Sequence, residues 1–271
     1  MTLALAISPC PNDTFVFHAL VHGLVPGAPP VAVTYADVDV TNTAARQRRF
    51  DLVKVSYAAL PGLLEDYALL PCGGAVGRGC GPLLLVREPA PGVDMAGASV
   101  AIPGELTTAY LLFRMWAADH GAGVAASRIE VVPFQEIMPG VAAGRYGAGL
   151  VIHEARFTYH RYGLRALVDL GAWWEEDTGL PIPLGAILAR RATVDPEQAA
   201  GWVRASVRAA WADPAASRDY VRAHAQELAP EVVDQHIRLY VNEFTDDLGQ
   251  PGRAAVDTLL QRAAALPAGR R

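Results

Sequence analysis

The sequence predicts an α/β protein of two lobes that face each other across a cleft. Three observations carry this. Short apolar runs alternate with helix-period segments from the start of the chain to about Arg191, the pattern of βαβ units. A Pro/Gly-rich stretch, EPAPGVDMAG at 88–97, divides that series in two. From about Asp195 the pattern is helical to the end, with breaks near Asp213-Pro214, Pro230 and Gln250-Pro251.

In order, LALAI (3–7) reads as a strand, followed by the turn SPCPN and a helix from Asp13 to about His22. VAVTYA (31–36), DLVKVS (51–56) and GPLLLVRE (81–88) read as further strands, with helix-like segments at about 40–49 and 57–66 between them. After the linker come strand SVAIP (99–103), helix 106–119, strand IEVVPF (129–134) and a helix containing Glu136 to Val141. Strands GLVI (149–152), ALVDL (166–170) and LGAILARR (184–191) complete the set. The expected sheets are mostly parallel. The expected division is one discontinuous lobe, 1–88 with 186–271, and an inserted lobe, 89–185. In open α/β sheets ligands bind at the carboxyl ends of the strands, so the site is expected in the cleft between the lobes.

Composition narrows the function. Hydrophobic residues are 52% of the 271 and charged residues 19%, a globular balance. The net charge of −5 and the lack of a basic cluster beyond RQRR (46–49) argue against a nucleic-acid partner. MTLALAISPCPND lacks the basic start and cleavage site of a secretory signal, and no apolar run reaches membrane-spanning length, so no membrane partner and a cytoplasmic location are expected. Cys10, Cys72 and Cys80 show no CxxC spacing and read as small buried hydrophobes rather than zinc ligands or disulfides. Of 23 basic residues Lys54 is the single lysine, which singles it out.

Four strand ends run from apolar residues into polar ones and then a helix: Ser8 with Asn12 and Thr14, Lys54 with Ser56, Thr107 with Thr108, and His153 with Glu154. Hydroxyls entering a helix can help bind an anion at its N-terminus, or can be ordinary caps. His153 is the natural acid/base candidate because an imidazole titrates near neutrality; a hydrogen-bonded core histidine is the alternative. HEARF is not HExxH, which removes a zincin site. His18, His22, His120, His160, His224 and His236 read as structural or surface residues. The glycine-rich GGAVGRGCGPLLL (73–85) carries no nucleotide fingerprint and suits a close backbone approach or a hinge. Trp173 and Trp174 could wall an aromatic ligand or pack in the core.

SPCPNDTFVFHALVHG (8–23), KVSYAAL (54–60), GAVGRGCGPLL (74–84), TTAY (107–110), GLVIHEARFTY (149–159) and DLGAWWEEDTGLPIPLGAI (169–187) together resemble the 1,4-dihydroxy-6-naphthoate synthases of the futalosine route to menaquinone. The resemblance implies a type II periplasmic-binding-protein-like fold with an interdomain cleft. It implies cleavage of cyclic dehypoxanthinyl futalosine to 1,4-dihydroxy-6-naphthoate and dihydroxyacetone, by a carbon–carbon lyase without cofactor or metal. It places the proton acceptor on His153 and contacts to a small anionic substrate on Lys54, Val55, Ser56, Thr107 and Thr108. Two other readings share the fold: the chorismate dehydratase of the same pathway, and a non-catalytic solute-binding protein.

Overall fold

The computed structural model describes residues 2–88, 95, 97–122, 125, 128–225 and 229–266. Most of the expected linker at 88–97 therefore lies outside the described residues.

The first sheet holds β1 (Leu3–Ile7), β2 (Val31–Tyr35), β3 (Leu52–Ser56), β4 (Tyr67–Leu69), β5 (Ala75–Gly77) and β11 (Ile182–Arg190), ordered β2-β1-β3-β11-β4 with β5 also paired to β11. The second holds β6 (Leu83–Arg87), β7 (Val100–Ile102), β8 (Ile129–Val131), β9 (Ala148–Val151) and β10 (Leu164–Asp169), ordered β10-β6-β9-β7-β8. Strand pairing thus assigns β6 to the second sheet, although its residues fall within the expected first lobe, 1–88. The crossings between sheets lie at 78–82 and 179–181, between β5 and β6 and just before β11. The glycine-rich 73–85 segment supplies the first of them.

The sheets are mixed rather than mostly parallel. The βα units pair in parallel (β1 with β2 and β3; β7 with β8 and β9). The strand by which the chain enters or leaves each half runs the other way. β6 is antiparallel to β9 and β10, and β11 to β3, β4 and β5. A strand that arrives from the opposite half meets its neighbours reversed, and an apolar run looks alike in either direction.

Helices cover these sheets. On the first, α1 (Pro11–Val21) packs against α7 (Pro196–Ala212), α8 (Arg218–His224) and α9 (Pro230–Tyr240). Their apolar residues, among them Phe17, Leu20, Val203 and Val207, bury one sheet face. Proline at N1 starts α1, α7 and α9, where its missing N–H removes no helical bond. The other face joins a cluster continuous with the second sheet, from Val53 and Leu60 to Leu84, Val100 and Leu150. It also takes in Trp174 of α6 (Leu170–Thr178), whose indole N–H donates to the Pro181 carbonyl at 3.0 Å. Trp174 is therefore core, and Trp173 faces a separate surface hollow beside Met115 and His120. The remaining helices are α2 (Val38–Arg46), α3 (Thr108–Asp119), α4 (Phe134–Ala142), the single turn α5 (Ala155–Thr158), α10 (Glu243–Asp246) and α11 (Gly249–Ala265). The helix expected over 57–66 is a short 3₁₀ turn, Tyr57–Gly62, containing Pro61, which cannot donate to an α-helical ladder. β4 and β5 are three residues each, too short to show a period, and escape sequence reading.

Two glycines test the packing at the first crossing. A Cβ on Gly81 would lie 2.2 Å from the Gly171 Cα, backbone against backbone, whereas one on Gly201, exposed in α7, meets nothing within 4 Å. Gly81→Ala is expected to lower stability by roughly 1–3 kcal/mol, and Gly201→Ala to raise it by about 0.5–1 kcal/mol. Thermal melts of the two variants check the contrast, and equal shifts would contradict it.

Candidate active site

The site starts from one buried acid. Asp13, in the first turn of α1, is 1% exposed. Its Oδ2 accepts from the Ser8 backbone N–H at 3.1 Å and the Ser8 hydroxyl at 2.6 Å. Its Oδ1 accepts from Asn12 Nδ2 at 2.8 Å and from the Lys54 ammonium. The bend at Pro9–Cys10 leads straight into α1, so that Ser8 and the first-turn residues Asn12 and Asp13 converge, and strand alternation aims Lys54 at the same point. Lys54 fits because Gly185, diagonal to it on β11, has no side chain: a Cβ there would sit 2.7 Å from Lys54 Cε. Lys54 thus reaches the cleft already matched to an internal carboxylate.

Around this pair lies a cavity between the sheets, with about 650 Å³ of empty space when its opening to solvent is counted in. Ser8, Asn12, Lys54 and Ser56 line it from the first sheet, and Thr107, Thr108, Ile152 and His153 from the second. The structure therefore brings together every expected site residue except Val55, which is fully buried with its side chain in the core. Ser56 is held by Asn42, whose Oδ1 accepts from Ser56 N at 2.8 Å and whose Nδ2 donates to Ser56 Oγ at 3.1 Å. Thr107 caps α3, accepting from Tyr110 N at 3.2 Å and donating to the Gly104 carbonyl at 2.7 Å. The Thr108 hydroxyl donates to the Leu184 carbonyl at 2.9 Å and accepts from Ala58 N at 3.3 Å, tying α3 to the first sheet. Both hydroxyls are thus engaged by protein. What α3 offers a ligand is its first N–H groups, which have no intrahelical acceptor.

His153 stands opposite. It follows β9 in the left-handed region, with φ 54°, a conformation that costs a non-glycine residue about 1–3 kcal/mol. Histidine and asparagine tolerate it better than most. The turn carries the ring out of line with β9 and into the cavity. Its edge-to-face neighbour is Phe134, at 5.5 Å between centroids, and His236 lies near-parallel at 6.4 Å. Neither ring nitrogen has a hydrogen-bond partner among the described residues. Packing and backbone geometry, not a hydrogen bond, orient this imidazole.

Burial, helped by the Lys54 ammonium and opposed by Asp13, pushes the His153 imidazole down to about 4. It is therefore neutral at pH 7. Burial, with the carboxylate of Glu154 next in weight, raises the Cys10 thiol well above its usual range. The three cysteines are free and buried. Cys10 Sγ, a His153 nitrogen and a Glu154 oxygen lie within 4.8 Å of one another, the one such grouping among the described residues. Distance alone would let these donors share a metal ion, but the uncharged thiol opposes it.

Asp13, Asn42 and His236 join the site without standing out in the sequence as cleft residues. Asp13 was legible as the acid closing SPCPND. Asn42 and His236 come from helical segments whose pattern does not distinguish a cleft-facing polar residue from a solvated one. His236, which the sequence suggests is structural or surface, is fully buried, and its Nε2 meets Asn12 Oδ1 at 2.9 Å.

A family model described as "Menaquinone biosynthesis" matches residues 3–265. The chain belongs to that family. It is 62% identical over 266 residues to a 1,4-dihydroxy-6-naphthoate synthase of Streptomyces coelicolor, covering 97% of this chain and 93% of that one. It is 47% identical over 270 residues to the synthase of Thermus thermophilus, covering 97% and 94%. This member of the menaquinone-biosynthesis family is an enzyme of the carbon–carbon lyase type those relatives represent. Among solved structures it resembles protein AF1704 of Archaeoglobus fulgidus, with a TM-score of 0.87, 29% identity and 97% of each chain covered. A Candida albicans protein with the generic periplasmic-binding-protein fold superposes with a TM-score of 0.73 at 12% identity, covering 100% of this chain and 92% of that one. The family member's fold is thus the two-lobed periplasmic-binding-protein type. Among the described residues no helix is long and apolar enough to cross a membrane.

The electrostatics make a direct prediction. As pH falls, His153 should stay neutral through the ordinary imidazole range and titrate near 4. Because the unfolded chain takes up that proton first, near pH 6.5, His153 costs the fold stability as pH falls from about 6.5 to about 4. Lys54→Met removes a repelling charge and leaves Asp13 unneutralised, so His153 should titrate higher. The same change should destabilise the protein by about 3–5 kcal/mol, since a buried carboxylate is left unpaired. Imidazole NMR titration checks both signs, and a His153 midpoint near 6.5 in the wild type contradicts the first.

Proposed function

We propose that the protein cleaves cyclic dehypoxanthinyl futalosine to 1,4-dihydroxy-6-naphthoate and dihydroxyacetone, with His153 as general base. The observation that carries this is His153 itself. It is an imidazole neutral at pH 7, free at both nitrogens among the described residues, and facing a largely apolar cavity into which Ser8, Asn12, Lys54 and Ser56 bring a few polar groups from the opposite wall. The two synthases, 62% and 47% identical, supply the substrate class.

The chemistry suits these residues. The substrate carboxylate sits against the N-terminus of α3, where Thr108 and Ala109 present their N–H groups and the helix dipole favours an anion. Ser56, fixed by Asn42, adds a hydroxyl. The neutral His153 takes a proton from the cyclic substrate. The electron pair released breaks the bond to the sugar remnant, and the new ring aromatises. The two halves, tied by the Thr108–Leu184 bond, keep water from the reacting centre. Lys54 holds its positive charge on Asp13 and acts on the site through the field that keeps His153 unprotonated.

The discriminating experiment offers purified protein the cyclic substrate and, separately, chorismate. Naphthoate from the first and no product from the second is the expected outcome. Turnover of chorismate would support the dehydratase reading, and binding without turnover a solute-binding protein. His153→Asn keeps a residue that accepts the left-handed backbone. It should remain folded and bind substrate while kcat falls by roughly 10²–10⁴. Near wild-type turnover in that variant would remove His153 as the base.

A further inference from the structure

The Asp13 network determines the hydrogen positions on a second histidine. Asp13, paired with Lys54, is ionised and only accepts. The Asn12 atom that meets it at 2.8 Å must therefore be the amide nitrogen. Asn12 Oδ1 then points the other way, to His236 Nε2 at 2.9 Å. An amide oxygen cannot donate, so His236 must carry its hydrogen on Nε2. Burial holds His236 well below its usual range, with His153 and Lys54 adding to the effect, so the ring is neutral and Nδ1 is bare. That Nδ1 is buried with no hydrogen-bond partner among the described residues. A structural histidine has no reason to leave one nitrogen unsatisfied at the cost this carries. Replacing the ring by an apolar side chain would spare that cost, and only the Nε2–H contact would be lost.

What that contact controls is the face Asn12 shows to the cavity. Asn12 lines the cleft, and among the described residues only one of its two amide hydrogens is engaged, by Asp13. Were the amide flipped, Oδ1 would face the Asp13 carboxylate and repel it. The His236 N–H and the Asp13 carboxylate thus grip Asn12 from its two ends and leave a donor free. His236 comes from α9, and its ring lies 4.5 Å from that of Tyr240, which also lines the cleft.

We propose that His236 is a positioning residue of the active site: its Nε2–H locks the Asn12 amide so that Asn12 offers an N–H donor to an oxygen of the bound substrate. The identity of that oxygen's owner rests on the function proposed above; the tautomer and the orientation of Asn12 do not.

The first test needs no substrate. In nitrogen-15-labelled wild-type protein, His236 should appear as the neutral Nε2–H tautomer, unchanged from about pH 5.5 to about pH 8. An Nδ1–H tautomer, or a ring that titrates in that range, overturns the inference. The second test is kinetic. His236→Leu should lower kcat/KM by about tenfold or more, as the Asn12 amide loses its lock. His236→Gln, whose terminal amide can place an N–H where Nε2 stood, should recover most of that loss. In an Asn12→Ala background the Leu change should cost little further, because the two residues act as one unit. A Leu variant with wild-type kinetics, or a Gln variant no better than Leu at equal thermal stability, counts against the assignment. If His236→Leu does not fold, the wild-type tautomer decides. If the wild type does not turn over the cyclic substrate, the proposed reaction fails while the tautomer measurement still tests His236.

Discussion

One carboxylate organises this cleft. Asp13 is a charge taken out of water, and such a charge persists only if it is paired and hydrogen-bonded on every side. The structure meets that demand with Lys54, both donors of Ser8 and the amide of Asn12. Each partner imposes a further condition. Lys54 needs the space that Gly185 leaves on the neighbouring strand. Ser8 and Asn12 need the Pro9–Cys10 bend and the helix start that follows it. Asn12, once oriented, dictates the tautomer of His236. A sheet strand, a turn, a glycine on an antiparallel neighbour and a helix from the far end of the chain are thus all constrained by one buried negative charge.

The second sheet answers with different means. There the groups that face the cleft are a helix N-terminus and a strained imidazole. His153 is turned off the end of β9 by a left-handed residue and packed between Phe134 and His236. Its neutrality arises from burial first and from Lys54 across the cleft second. The ion pair on one wall therefore helps set the protonation of the base on the other. That coupling requires both halves to be in place, and the Thr108 hydroxyl, bonded to Leu184 and Ala58, holds them.

Much of this was legible in the sequence, for identifiable reasons. Alternating apolar runs reveal β1, β3, β7 and β9, because a buried strand must be apolar and short. The residues just past those runs include Lys54, Ser56, Thr107, Thr108 and His153, all now on one cavity. Strand direction was not legible: β6 and β11 are apolar whichever way they run, so a mixed sheet reads as a parallel one and the first crossing reads too late. Val55 lies between Lys54 and Ser56 in sequence, but alternation turns its side chain into the core. The duty of Trp174 follows from the Pro181 carbonyl that meets its indole N–H, a contact local sequence does not reveal. His236 was hidden most deeply. It lies on an amphipathic helix where histidine is usually solvated, and its partner, Asn12, is more than two hundred residues away in sequence.

The arrangement commits to one orientation of the bound molecule: anion on the α3 N-terminus, reacting carbon toward His153, an oxygen against Asn12. A crystal structure with 1,4-dihydroxy-6-naphthoate bound measures this most directly. The account predicts the product carboxylate within hydrogen-bond distance of the Thr108 and Ala109 N–H groups, the fused rings filling the cavity, and the His153 ring at their edge. A carboxylate bound instead to the Lys54 ammonium, with the Asp13 pair broken and the rings turned away from His153, would contradict it.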